Sequence, residues 1–222
     1  MQKLIRDNER RFFENVILSR VKRRRSVLIV GNFGSGKSRF LRELAKGIEP
    51  KNKVLHGLSI SPIYQMLPSL LAQVNHVVRP SSFNVIPYLE LLCKQKKICL
   101  MIDEIHRLNP QSWQYVKHIM DAGIPCVLAG LESAESFLRE SNGDILSRLK
   151  VLHLHPVGVE DFISEFIHWD PDAVELAYGA ANSDMREFLQ KYVDEAEDKL
   201  AEMKAAGQKE DTVTVDIVSP FL

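Results

Sequence analysis

Eight residues restrict this chain more than any other part of it. Gly31-Asn-Phe-Gly-Ser-Gly-Lys-Ser38 has the form G-x-x-x-x-G-K-[ST] and stands between the apolar run Val27–Val30 and a segment with helical periodicity. A strand, a glycine-rich turn and a helix in that order make an anion cradle. Glycines let successive backbone N–H groups turn inward around phosphate oxygens. The helix beginning near Gly36 aims the positive end of its dipole at the same point. Lys37 is placed to reach the outer phosphates, and the Ser38 hydroxyl suits Mg²⁺. Gly31, Asn32, Phe33, Gly34, Ser35, Gly36, Lys37, Ser38 and the adjoining Arg39 are the candidate nucleotide-binding residues, with ATP and Mg²⁺ as cofactors.

The rest of the chain supplies the setting such a loop needs. Short apolar runs at 27–30, 54–58, 98–102, 125–129 and 151–154 predict strands. Helical patterns predict helices over 3–22, 37–46, 62–76, 84–95, 110–122 and 132–140, with Asn109 capping the helix that opens on Pro110. Strands apolar on both faces belong to a parallel sheet sandwiched by helices, so the fold class is α/β. From Val157 onward only helices are expected: Asp161–Trp169, a second opened by Asp170-Pro171, and a third capped by Ser183 and ending near Gly207. The expected organisation is an N-terminal helix and basic run (1–25), an α/β nucleotide-binding domain (26–156), a small all-α lid (157–210) and a tail (211–222).

Asp103-Glu104 ends the run Ile98–Ile102. A carboxylate at the C-terminal tip of a parallel strand lies at the ligand edge of the sheet. Asp103 is expected to hold Mg²⁺ through water, and Glu104 to act as general base on the attacking water. An acidic turn after a strand is the plain alternative. His106, just beyond, reads either as a residue that responds to nucleotide or as an ordinary cap.

Together these motifs resemble the AAA+ ATPases, with Walker A as GNFGSGKS and Walker B as ICLMIDE. The stretch IDEIHRLNPQSWQYVKHIMDAGIPCVLAGLESAESFL, followed by DILSRLKVLHLHPVGVEDF, most resembles the transposition regulators TnsC, TniB and MuB. The resemblance implies that Arg148 is an arginine finger completing the neighbouring subunit's site. It implies that Arg186 is the sensor-2 arginine, touching nucleotide of its own subunit. For both arginines the alternative is a surface ion pair. Such proteins assemble head to tail as rings or helical filaments, bind duplex DNA through its backbone, and recruit a transposase, in some cases with a target selector. The stretches matching their DNA-contacting loops are 56–63 and 77–82, which makes Arg79 and Ser81 the candidate DNA-binding residues; an exposed loop arginine is the alternative for Arg79. The sequence departs from the pattern at Gly130-Leu131, where many AAA+ proteins carry a polar sensor-1 residue. Leu131 offers no side-chain hydrogen bond there, which points to slow hydrolysis.

Charge and composition narrow the remaining choices. Residues 1–53 carry 15 Lys/Arg against 5 Asp/Glu, whereas residues 157–222 carry 5 against 16. That asymmetry suits head-to-tail association or a basic face on nucleic acid, and equally the solvation of helices. With 45% apolar and 26% charged residues the chain reads as a soluble globular protein. It has neither an 18-residue apolar run nor an export signal, so a cytoplasmic home and no membrane partner are expected. Cys93, Cys99 and Cys126 fit no metal spacing, and His153 and His155 are expected to pack rather than ligate. Two rival functions keep the fold: a replicative helicase loader, and a nucleotide-switched interaction protein with little hydrolysis.

Overall fold

The apolar runs at 27–30, 98–102 and 125–129 become strands buried on both faces, and those at 54–58 and 151–154 become the two edge strands. The computed structural model describes residues 8–58, 66–74, 86–95, 97–163, 166–206, 208 and 211–222. β1 (Ser26–Val30), β2 (Lys53–Leu58), β3 (Ile98–Asp103), β4 (Cys126–Gly130) and β5 (Leu149–His153) form one parallel sheet in the order β2-β3-β4-β1-β5. Strand alternation divides β1 between two core layers. Leu28 and Val30 enter one layer, and Val27 and Ile29 enter the other. The register pairs Leu28 with Leu128 of β4 and with Val151 of β5. A polar pin helps hold it: the Ser26 hydroxyl accepts from the Cys126 N–H at 2.9 Å inside the core.

Helices cover both faces. α1 (Asn8–Lys22) and α2 (Lys37–Ile48) bring Ile17, Val21, Phe40 and Leu44 onto the Val27 face. On the Leu28 face, α3 (Leu67–Ala72), α4 (Ile86–Cys93), α5 (Pro110–Asp121), α6 (Glu132–Ser141) and α7 (Gly143–Leu146) bring Leu70, Leu92, Trp113, Leu138 and Ile145. Asn109 caps α5 as expected, its Oδ1 accepting from the Ser112 N–H at 2.8 Å. At the edge strand β2, the Gln73 amide spans His56, accepting from its N–H and donating to its carbonyl, both at 2.9 Å. That clamp satisfies strand groups that would otherwise be open to pairing.

The chain forms two compact units, one of residues 8–31 and 37–154, the other of residues 155–222 with loop residues 32–36. In the second, α8 (Pro171–Ala180), α9 (Met185–Glu187), a π-helical turn (Phe188–Val193), α10 (Asp194–Ala205) and α11 (Val215–Val218) surround an aromatic cluster. Phe188 is fully buried at its centre, with ring centroids 5.4 Å from Phe166 and Tyr178, 5.6 Å from Phe162 and 6.4 Å from Trp169. Val213, Ile217 and Val218 of the tail complete this core.

Three local expectations need correction. Of the helix expected over Asp161–Trp169, the described residues show 3-10 conformation at Val159–Asp161 and again at Ile163 but no α-helix, and Phe162 between them leaves helical geometry at φ −133°. Trp169 instead pairs with Val213 in a parallel bridge, so packing of the aromatics overrides the local period. Ser183 does not cap the long helix. Asn182 and Ser183 both take left-handed backbone (φ 48° and 60°), and Asp184 caps it instead, Oδ1 accepting from Arg186 and Glu187 N–H at 2.8 and 3.2 Å. β5 begins at Leu149, two residues before its expected start, because Ser26 pairs with Leu149.

Candidate functional site

The loop after β1 adopts the turn its glycines permit. Gly34 and Gly36 have φ of +71° and +82°, conformations that cost other residues energy. A Cβ at Gly34 would also overlap the Asp184 carboxylate. Ser35 is buried and donates its hydroxyl to the Asn32 carbonyl at 2.9 Å, closing the turn on itself. Phe33 projects outward, 67% exposed. Lys37 is buried at the start of α2, its Nζ donating to the Gly31 carbonyl at 2.9 Å. A buried ammonium needs partners of opposite polarity, and this carbonyl is one of them.

Sheet order decides which strand tips meet. β4 lies between β1 and β3, so its tip adjoins the ends of both. Asp103 closes β3 and accepts from the Glu104 N–H through Oδ1 at 2.8 Å. Glu104 itself has left-handed backbone (φ 58°, ψ 32°) and starts a 3-10 turn over Ile105–Arg107. Such a conformation in a residue with a Cβ costs about 1–3 kcal/mol and persists where surrounding structure imposes it. Here the fully buried Ile105 anchors the turn over the β4 tip. A Cβ at Gly130 would stand 2.7 Å from Ile105 Cγ1 and 3.2 Å from the His106 nitrogen. The Glu104 carboxylate is drawn to its own turn: His106 Nε2 and Arg107 Nε each lie 3.6 Å from Oε2.

Ser38, Asp103 and Glu104 line one cleft of about 600 Å³ with Leu41, Arg42, His56, Gly57 and Met101. Arg42 was not foreseen, although its signal was present: Ser38, Leu41 and Arg42 share one helix face by i, i+3, i+4 spacing. Arg42 Nε also points to the Ser38 carbonyl at 3.4 Å. Among the described residues, no three His, Cys, Asp or Glu side chains converge as a self-sufficient metal site.

The structure gives three of the four candidate arginines, Arg39, Arg148 and Arg186, a definite place. Arg148 follows α7 and is tied within its own chain, Nε donating to Asp121 Oδ1 at 2.7 Å and the guanidinium also reaching the Asp144 carbonyl. The Asp121 hydrogen bond raises the pKa of Arg148 further. Arg186 is exposed in the first turn after the Asp184 cap. Arg39 is half-buried on α2. Arg79 and Ser81 lie outside the described residues, as do most of the two loops expected at DNA.

The remaining sequence candidates are structural. Burial raises the pKa of Cys126 and pushes the Cys99 thiol up to about 12, so both are protonated packing groups. His153 ends β5 with Nε2 3.2 Å from Glu135 Oε2. No helix among the described residues is long and apolar enough to cross a membrane.

A sequence model of the AAA domain family matches residues 20–138. No curated protein matches the chain in sequence. The structure of the Aeropyrum pernix ORC2 protein, in ADPNP–ADP complexes, is similar with a TM-score of 0.71 at 16% identity, covering 99% of this chain and 67% of that one. The A. pernix ORC1 protein in complex with DNA gives 0.70 at 18% identity, over 96% and 63%. Cdc6p of Pyrobaculum aerophilum gives 0.69 at 11% identity, over 95% and 65%. The chain spans about two-thirds of the length of these proteins, and at such identities the likeness is one of fold.

Proposed function

This chain belongs to the AAA domain family, and from that premise we propose that it is an ATP-dependent ATPase that assembles head to tail on duplex DNA, marks target sites and recruits a transposase. One observation carries the ATPase part: Ser38 of the phosphate loop and the Asp103-Glu104 pair line a single cleft. The donor set there suits a small hard cation. The Ser38 hydroxyl and the Asp103 carboxylate would hold Mg²⁺ together with phosphate oxygens and water. When bound, the ion neutralises charge developing on the phosphates.

The protein's own groups do the rest. Backbone N–H groups of the loop bind and orient the phosphates, and Lys37 turns from the Gly31 carbonyl toward them. Glu104 takes a proton from the attacking water, whose oxygen then bonds to the γ-phosphorus as the bond to the β–γ bridging oxygen breaks. Leu131 offers this water no polar side chain, in keeping with slow turnover. Arg186 touches the nucleotide of its own subunit. Arg148 completes a neighbour's site, which requires it to leave Asp121. Residues 157–210 serve as the lid and 211–222 as its tail.

The transposition role rests on the sequence resemblance over 98–166, and Arg79 and Ser81 are the proposed contacts to DNA phosphates, a class of contact that weakens with salt. A second reading, a replicative helicase loader, keeps the same fold and nucleotide site. Electron microscopy of the protein with duplex DNA, with and without Mg²⁺ and a non-hydrolysable ATP analogue, separates the two. Filaments or rings on the duplex only with nucleotide, lost in Arg148→Ala, support target marking. A chain that ignores duplex DNA at saturating nucleotide refutes it, and a preference for single strands favours the loader.

A further inference from the structure

The β4 tip has no room for a polar side chain at position 130 and carries an apolar one at 131, yet a polar group stands there. His106 reaches it from the turn after β3. Its imidazole is mostly buried, and the Leu131 N–H donates to Nδ1 at 3.4 Å. A nitrogen that accepts carries no proton, so the proton of the neutral ring sits on Nε2. Nε2 is the atom that faces Glu104 Oε2, at 3.6 Å. The imidazole thus spans two strand tips, with its acceptor toward β4 and its donor toward the carboxylate after β3.

We propose that His106 is a positioning residue that fixes Glu104 against the β4 tip and takes the place of the polar side chain that Gly130-Leu131 lacks. Three features converge on this assignment. Gly130 leaves space that the Ile105–His106 turn fills. The left-handed backbone of Glu104 keeps its side chain beside that turn. The Leu131 N–H selects the tautomer whose donor points at Glu104. The 3.6 Å separation is longer than a full hydrogen bond, at about 2.9 Å. Catalytic contacts commonly shorten when substrate binds. In that state Nε2–H engages Oε2 and leaves Oε1 for the attacking water. Loss of His106 therefore leaves the carboxylate to the exposed Arg107, also 3.6 Å from Oε2 and a looser hold, without touching the groups that bind nucleotide.

The inference rests on the ATPase reading, and one experiment separates their failures. Steady-state ATP hydrolysis is measured with duplex DNA present for the wild type, His106→Phe and His106→Gln. Phe keeps a ring and loses both polar atoms, whereas Gln loses the ring and keeps an acceptor and a donor. The expected result is a fall in kcat of about tenfold or more for His106→Phe, with KM for ATP within about twofold, and recovery of most of that loss in His106→Gln. If His106 serves packing alone, the order reverses, with Phe active and Gln impaired, and the proposal is overturned. Equal turnover in all three also overturns it while leaving the ATPase reading intact. A folded wild type with no turnover overturns both.

Discussion

Replacing Gly130 by alanine tests how tightly the carboxylate turn is seated. The added Cβ would lie 2.7 Å from Ile105 Cγ1 and 3.2 Å from the backbone nitrogen of His106. Apolar carbons rest at about 3.5–4.0 Å, so the turn must retreat by roughly 1 Å. Overpacking of this kind costs about 1–3 kcal/mol, or roughly 2–4 °C of melting temperature per kcal/mol in a domain of this size. The same retreat moves Glu104 and His106 away from the β4 tip, and a 1 Å misplacement at a reacting centre costs on the order of 10²-fold. Gly130→Ala is therefore expected to hydrolyse ATP about a hundredfold more slowly than the wild type while melting only modestly earlier. Fluorescent-nucleotide affinity should be nearly unchanged, because the phosphate loop follows β1. Gly179→Ala in α8 is the control, since its Cβ meets nothing within 4 Å. A helical Gly-to-Ala change should raise the melting temperature slightly, by about 0.5–1 kcal/mol in stability. A Gly130→Ala protein with wild-type turnover would refute the reasoning.

Other substitutions probe separate links. Glu104→Gln should bind nucleotide with near-normal affinity and lose about 10²–10⁴-fold in turnover; unchanged turnover, measured by phosphate release, would move the protein to the nucleotide-switch class. Phe188→Ala removes the centre of the aromatic cluster and should cost about 3–5 kcal/mol in the helical unit, read by denaturant titration. Cys99 and Cys126 titrate late in the fold. Unfolding therefore releases thiol protons above the ordinary value of 9.0, and stability should fall as pH rises from about 9 toward 12. A denaturant midpoint that stays flat across that window would contradict their burial.

Much of the candidate site was legible in the sequence because its signals are local. Gly34, Gly36, Lys37 and Ser38 declare a phosphate loop through conformational freedom and spacing alone. Asp103 and Glu104 declare a ligand edge because they end an apolar run. Other features depended on partners far along the chain. Arg148 meets Asp121 across 27 residues, so an arginine expected to reach a neighbouring subunit begins inside an ion pair. Asp184 displaced Ser183 as a helix cap. Both are good cap formers, and the choice fell to the left-handed backbone of Asn182 and Ser183. The segment before Trp169 has helical spacing, yet Val213, 44 residues away, draws Trp169 into a bridge.

By itself, then, the sequence determined the α/β class and the strands around the glycine-rich loop, and it nominated the residues proposed to hold nucleotide and activate water. Those properties follow from short-range sterics and from the period of apolar residues, which act over a few positions. The tertiary structure decided that β4 lies between β1 and β3, that Gly130 is overlain by Ile105, and that the Leu131 N–H and the Glu104 carboxylate face opposite nitrogens of His106. Those contacts arise only when segments distant in sequence are buried together, where the gain from burial outweighs the entropy of closing the loops between them.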